Sequence, residues 1–146
     1  MKMPDVNVWI YAHRREDPSH AFYRSWIEDL LNATSPFGLS ALVASAFVRI
    51  VTHPRFSPEP TPLFEALETI DHIRRCPGCR WLLPGDRHWE IISDLCRRTG
   101  VTGKSVADAQ HAAIAIENGC QWVTRDLDFA KFEPLGLEWV HLEPPC

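Results

Sequence analysis

A chain of 146 residues, 45% hydrophobic and 23% charged, has the size and mix of a single folded domain over residues 1–146, which excludes wholesale disorder. The net charge of −4 excludes a polyanion binder that works by bulk positive charge, but leaves room for a nucleic-acid enzyme with a local basic rim. No apolar run reaches the roughly 18 residues of a membrane-spanning helix, Met1-Lys2-Met3-Pro4-Asp5 lacks the pattern of a signal peptide, and five irregularly spaced cysteines fit reduced thiols, so the expected location is the cytoplasm, away from membranes.

In chain order, a very short strand ends at Asp5 and turns into a short apolar helix through Tyr11. Asp17-Pro18-Ser19 reads as a helix start with Ser19 as cap, and Phe22, Trp26, Ile27, Leu30 and Leu31 follow at helical spacing. Pro36 to Leu39 reads as a buried strand. Ser40 then caps a helix that carries Leu42, Val43, Ala46, Phe47 and Ile50 on one side and stops before His53-Pro54. After a loop over 56–62, Thr61-Pro62 opens a helix on Leu63, Phe64, Leu67 and Ile70. Cys76 to Cys79 is a turn and Arg80 to Leu83 a strand. A helix over 87–98 buries Trp89, Ile92 and Leu95 or Cys96, and Gly100 ends it. Ser105 opens a helix through Ile116 that Gly119 terminates. Gln121 to Thr124 is a strand, Asp126 to Ala130 a helical turn, and Leu137 to Leu142 an edge strand. Short strands alternating with helices predict an α/β/α sandwich around a mostly parallel sheet, in which ligands sit beyond the carboxyl ends of the strands.

Acids fall at those ends. Asp5 follows the first strand, Asp126 and Asp128 follow Gln121 to Thr124, and Asp108 lies in the first turn of the helix from Ser105. Gathered carboxylates repel one another unless a cation or proton intervenes, and an oxygen-only set suits magnesium or manganese. Each acid also has a local reading. Asp5 can cap a turn with Asn7, Ser105 to Asp108 has the pattern of a capping box, Asp126 can be an N-cap, and Asp128 a first-turn acid favoured by the helix dipole.

Asp5-Val6-Asn7-Val8, Ala107-Asp108-Ala109 and Thr124-Arg125-Asp126-Leu127-Asp128-Phe129 resemble the motifs of PIN-domain ribonucleases, and more closely those of the VapC toxins of bacterial toxin–antitoxin pairs. Tyr11-Ala12-His13, the run from Phe47 to Arg55 and Gly119-Cys120 extend the resemblance over nearly the whole chain. It implies magnesium- or manganese-dependent cleavage of RNA, with Asp5 and Asp108 as principal metal ligands, Asp126 completing the site and Asp128 auxiliary. It also implies an antitoxin protein as partner, held in an apolar groove among helices bearing Trp26, Phe47 and Phe64, and a homodimer. Many members carry a glutamate where this chain reads Val43-Ala44-Ser45-Ala46. Ser45 stands in for it by holding a water, or Asp128 supplies the charge. Ser45, Arg49 and Lys104, with Arg14 and Arg55, are the candidate substrate contacts, Ser45 and Arg49 lying four apart on one helix face. Trp9, Tyr11 and Phe56 are candidates for stacking on bases, with core packing as the other use.

Two readings of other classes stand beside the nuclease. One is a non-catalytic relative that keeps only partner binding; the other is a receiver-like regulatory module whose acids bind magnesium. Cys76-Pro77-Gly78-Cys79 has the spacing of a zinc or redox pair but lacks a second pair, and Val101 to Ser105 lacks the first glycine of a phosphate loop.

Overall fold

A computed structural model describes residues 1–56 and 58–146. Five strands, β1 (Lys2–Pro4), β2 (Phe37–Ser40), β3 (Cys79–Leu82), β4 (Gln121–Thr124) and β5 (Glu138–His141), form one parallel sheet in the order β3-β2-β1-β4-β5. Helices α1 (Val6–His13), α2 (His20–Asn32), α3 (Ala41–Val51) and α4 (Leu63–Arg75) pack together as one layer. Helices α5 (His88–Thr99) and α6 (Ser105–Glu117) and a 3-10 segment (Leu127–Leu135) form the other. With helices on both faces the central strands can be apolar throughout, and Met3, Phe37, Leu39, Trp122 and Val123 are all fully buried. Strand order reverses between β1 and β4, so their carboxyl ends open the crevice where such sheets bind ligands.

Element types match the sequence reading, and the differences are local. The side chain of Ser40 caps α3 as expected, accepting from the Val43 amide at 3.0 Å. Ser19 caps nothing: its amide and hydroxyl both donate to Asp17 Oδ1. Thr61 turns to His13, 2.9 Å from its Nε2, and leaves α4 to start after Pro62 without a side-chain cap. The capping box from Ser105 does not form, because a tight turn through Thr102 and Gly103 begins the helical path earlier and places Ser105 inside it. Three apolar stripes are rotated. In α3 the buried residues are Val43, Ala44, Phe47 and Val51. In α4 they are Ala66, Ile70 and Ile73, which leaves Leu63, Phe64 and Leu67 exposed. In α5 they are Ile91, Ile92 and Leu95, and Trp89 stands 75% exposed. The expected loop over 56–62 includes Ser57, which lies outside the described residues.

The Glu117 carboxylate at the end of α6 binds the turn that leads into α5. It accepts from the Gly85 amide at 2.8 Å and the Arg87 amide at 3.0 Å. A Cβ on Gly85 would run into that carboxylate. Gly85→Ala should therefore push Glu117 away, break both bonds and cost about 1–2 kcal/mol. A urea titration with an unchanged midpoint would refute this.

Candidate active site

Asp5 is the first residue beyond β1. Its backbone amide still belongs to the sheet, donating to Val123 O on β4 at 2.7 Å, while its φ and ψ of −66° and 157° lead into α1. The carboxyl group is thus fixed at the switch point, with the residue only 5% exposed. One oxygen, Oδ2, accepts from Thr124 Oγ1 at 2.7 Å and from Asn7 Nδ2 at 3.2 Å.

Thr124 is fully buried at the end of β4, and its hydroxyl has no capacity to spare. It donates to Asp5 and accepts from the Asp126 amide at 2.9 Å and from Asn7 Nδ2 at 3.3 Å. Asn7 Oδ1 accepts from the Arg125 amide at 3.2 Å, and Asp126 Oδ1 accepts from the Asp128 amide at 2.9 Å. Asp126 is therefore the N-cap of the 3-10 segment, as one of its sequence readings held, and one oxygen of its carboxylate is spent on that cap. Residues at the two ends of the chain are joined into a single web.

Arg125 anchors this web from outside. Its guanidinium lies 3.5 Å from the centroid of the Tyr11 ring, and its Nε donates to Tyr23 Oη at 2.9 Å. Tyr23 Oη in turn donates to Leu142 O at 2.8 Å. Thr124, Asn7 and Arg125 were not singled out for the site in the sequence. Their sequence signal is their place in the motifs Asp5-Val6-Asn7-Val8 and Thr124-Arg125-Asp126-Leu127-Asp128-Phe129, which marks no individual role for them.

The acids act on one another. Burial pushes the Asp5 carboxyl up to about 6; the Thr124 bond opposes this, and the negative charges of Asp108 and Asp126 add to it. Asp108, half-buried on α6, is also raised, first by burial, against the pull of Lys131 and with the push of Asp126 and Asp128. Among the described residues no cation lies within 4 Å of any of these four carboxylates. The fold thus brings Asp5, Asp108, Asp126 and Asp128 into one field of negative charge that Lys131 offsets in part at Asp108.

Other candidates are elsewhere or differently used. Ser45, Arg49 and Lys104 are exposed, and no hydrogen bond or ion pair among the described residues ties them to the acids. Lys131, absent from the expected cations, is the one that acts on Asp108. Trp9 is a core residue, 4% exposed and tilted against Phe37. A groove of about 880 Å³ runs between α1, α2, α3 and α4, with Phe47 and Phe64 on its wall; Trp26 lies outside it, under the Lys2 ammonium.

A divalent cation can be tested against this donor set. No three His, Cys, Asp or Glu side chains among the described residues converge tightly enough to enclose an ion. Magnesium does not need that, since it keeps several waters and takes one or two carboxylates directly. Oxygen donors only, a carboxyl fixed and buried at the switch point, and no cation within ion-pair distance among the described residues fit such a partly hydrated ion.

The PIN domain family model matches residues 2–134. VapC ribonuclease Mb2897 of Mycobacterium bovis is 39% identical over 137 residues, 94% of this chain and 92% of its own length. Ribonuclease VapC25 of Mycobacterium tuberculosis is 34% identical over 145 residues, 99% of each chain. Among solved structures, VapBC2 from Rickettsia felis bound to a promoter DNA fragment superposes with a TM-score of 0.69 over 97% of this chain and 98% of its own, at 16% identity. VapC20 of Mycobacterium tuberculosis, described as a sarcin-ricin loop cleaving toxin, gives 0.69 over 99% and 100% at 16% identity. The chain belongs to the PIN-domain family and, within it, to the VapC ribonucleases. Among the described residues no helix is long and apolar enough to cross a membrane.

Proposed function

We propose that this chain is the ribonuclease toxin of a toxin–antitoxin pair, and that it hydrolyses RNA phosphodiester bonds at the acid web, with magnesium or manganese as its cofactor. The single observation that carries the site assignment is the gathering of four carboxylates at the β1–β4 switch point, with Asp5 and Asp108 raised by burial and by their acidic neighbours and no cation in ion-pair contact with any of the four among the described residues.

Asp5 and Asp108 are the principal ligands in this reading, with Asp126 completing the set directly or through water. A divalent cation bound there supplies Lewis-acid activation of water and neutralises charge on the phosphate. The chain's own residues do the rest. Thr124 and Asn7 hold Asp5 through Oδ2 and so fix the orientation of its carboxylate. Asp126 has one oxygen committed to the Asp128 amide and the other free to orient a water. Asp128, exposed beside it, takes up the leaving proton or passes it to solvent. Lys131 meets the phosphate charge from the 3-10 segment, with Arg49, Ser45 and Lys104 as outer contacts.

The partner of the pair is an antitoxin protein. The groove of about 880 Å³, with Phe47 and Phe64 on its wall, supports the expectation of a helix-binding surface. A homodimer in the cytoplasm completes the reading.

The test is incubation of partner-free protein with a pool of structured RNAs, in magnesium or manganese and in EDTA. Asp108→Asn should lower cleavage at least ~10²-fold at limiting metal with the fold intact, since it removes a ligand and its charge. Equal cleavage by wild type and variant would remove Asp108 from the site. Metal binding without any cut across the pool would favour the non-catalytic reading, to which the absence of an acid over Val43 to Ala46 lends its weight.

A further inference from the structure

The turn between α4 and β3 holds two thiols that the nuclease reading does not use. Cys76 and Cys79 are both half-buried and both reduced. Pro77-Gly78 between them forms a closed turn, in which the Cys79 amide donates to Cys76 O at 3.0 Å. A turn closed by that bond brings its first and fourth Cα atoms within about 7 Å, inside or at the edge of the roughly 4.4–6.8 Å that disulfides span. The turn is fixed from both sides. Gly78 O accepts from the Phe37 amide at 2.9 Å, and Arg80 Nη1 donates back to Pro77 O at 3.1 Å. The two sulfurs are near enough for Cys76 to raise the Cys79 thiol, after burial, which is the larger cause; Arg74 and Arg80 pull it back in part.

Cys79 also borders a shallow depression of about 300 Å³ whose other walls are Asp71, Arg74, Arg75 and Trp81. Arg74 lies flat on Trp81, 4.1 Å from the ring centroid, with no carboxylate partner within 4 Å among the described residues. Arg75 is engaged by Glu68 at 2.9 Å. The way in to Cys79 therefore passes a guanidinium held on Trp81 and free of ion-pair contact among the described residues, with two arginines facing the one acid, Asp71, on the same wall.

We propose that Cys76 and Cys79 are a redox-active thiol pair, closed to an intramolecular disulfide by exchange with an anionic low-molecular-weight disulfide that enters beside Arg74. The Cys79 thiolate attacks one sulfur of the small disulfide; one S–S bond forms, one breaks, and a small thiolate leaves. The Cys76 thiolate then attacks Cys79 Sγ, and the second small thiolate leaves. The protein loses two electrons and two protons, and the small disulfide is reduced to two thiols. Because the Cys79 thiol sits high, exchange is slow at neutral pH and quickens as pH rises. The site lies on the edge strand β3, two strands from Asp5, and does not depend on the nuclease reading.

The experiment uses the full chain carrying Cys146→Ser, which removes the one exposed cysteine. It is incubated with oxidised glutathione or with cationic cystamine and quenched by alkylation, then mapped by mass spectrometry. The proposal expects the Cys76–Cys79 peptide to lose two hydrogens and both alkylation sites, reversibly with dithiothreitol. Cys76→Ser should instead stop at a stable mixed disulfide on Cys79. Oxidised glutathione should react several-fold faster than cystamine, and Arg74→Gln should erase that preference. Modification confined to Cys96 or Cys120, with Cys76 and Cys79 still alkylated, would overturn the pair. Equal rates for the two reagents would overturn the anionic route.

Discussion

Asp5→Asn should abolish metal-dependent cleavage and, in the same protein, raise the stability of the metal-free fold. The buried carboxyl titrates near 6, against 3.8 for an unperturbed aspartate. At pH 8 in EDTA the folded wild type thus holds an ionised group where burial and two neighbouring acids oppose it. The difference of about two pKa units corresponds to about 3 kcal/mol, which an uncharged amide of the same shape removes while still accepting from Thr124. Adding magnesium should reverse the order, because the ion stabilises the wild type by mass action and finds no charge at position 5 of the variant. Denaturant melts of both proteins, each with EDTA and with magnesium, check this. A metal-free variant less stable than wild type would show that the Asp5 charge is not the burden its burial implies.

A second large effect is hidden in the wild type at acid pH. His111 is stacked on Trp122 with centroids 5.3 Å apart, its Nδ1 is sealed without a partner, and burial pushes its pKa down to about 4 from 6.5. Between pH 6.5 and 4 the unfolded chain gains a proton there that the folded chain refuses. His111 alone therefore costs about 3 kcal/mol of stability as pH falls through that window, with its contribution intact above 6.5. Asp5 has the opposite sign. Its folded pKa is raised, so its unfavourable charge is present above 6 and is relieved as pH falls towards 3.8. The two oppose each other, so in metal-free wild type the relief at Asp5 masks much of the acid loss due to His111. Asp5→Asn should therefore lose about 3 kcal/mol more than wild type between pH 6.5 and 4, and adding His111→Gln should remove the part of the loss due to the histidine. An Asp5→Asn variant with no acid sensitivity would contradict the assignment to His111.

The four acids and the strands before them were legible because strand ends and helix starts leave local marks: an apolar run that stops, a proline, a glycine. Gly100 and Gly119 end α5 and α6 at φ of 72° and 62°, where a side chain would be strained. What sequence hid was long-range. Thr124 and Asp5 are 119 positions apart, and nothing near either residue reveals the bond between them. The same holds for Arg125, whose partners Tyr11 and Tyr23 lie on α1 and α2. The misjudged stripes have a simpler origin. Trp89 and Ile92 are three apart, as are Ile92 and Leu95, so spacing alone permits two adjacent faces of α5; packing against α6 selects the one with Ile91. At α4, Phe64 lies toward the groove, outside the core, and that choice belongs to its neighbours in space.

The position of β1 in the middle of the sheet also governs when activity can begin. A ribosome makes β1 well before one of its two neighbours, β4, since more than a hundred residues separate them in the chain. Until residues 121–126 are free, Asp5 lacks the Val123 carbonyl, the Thr124 hydroxyl and the Asp126 carboxylate. A chain broken off in translation before that point carries the principal acid on a half-paired strand. On the proposed reading, the cleavage site is therefore assembled only after β4 has been made and has docked beside β1, so a chain cut short before residue 121 should cleave no RNA.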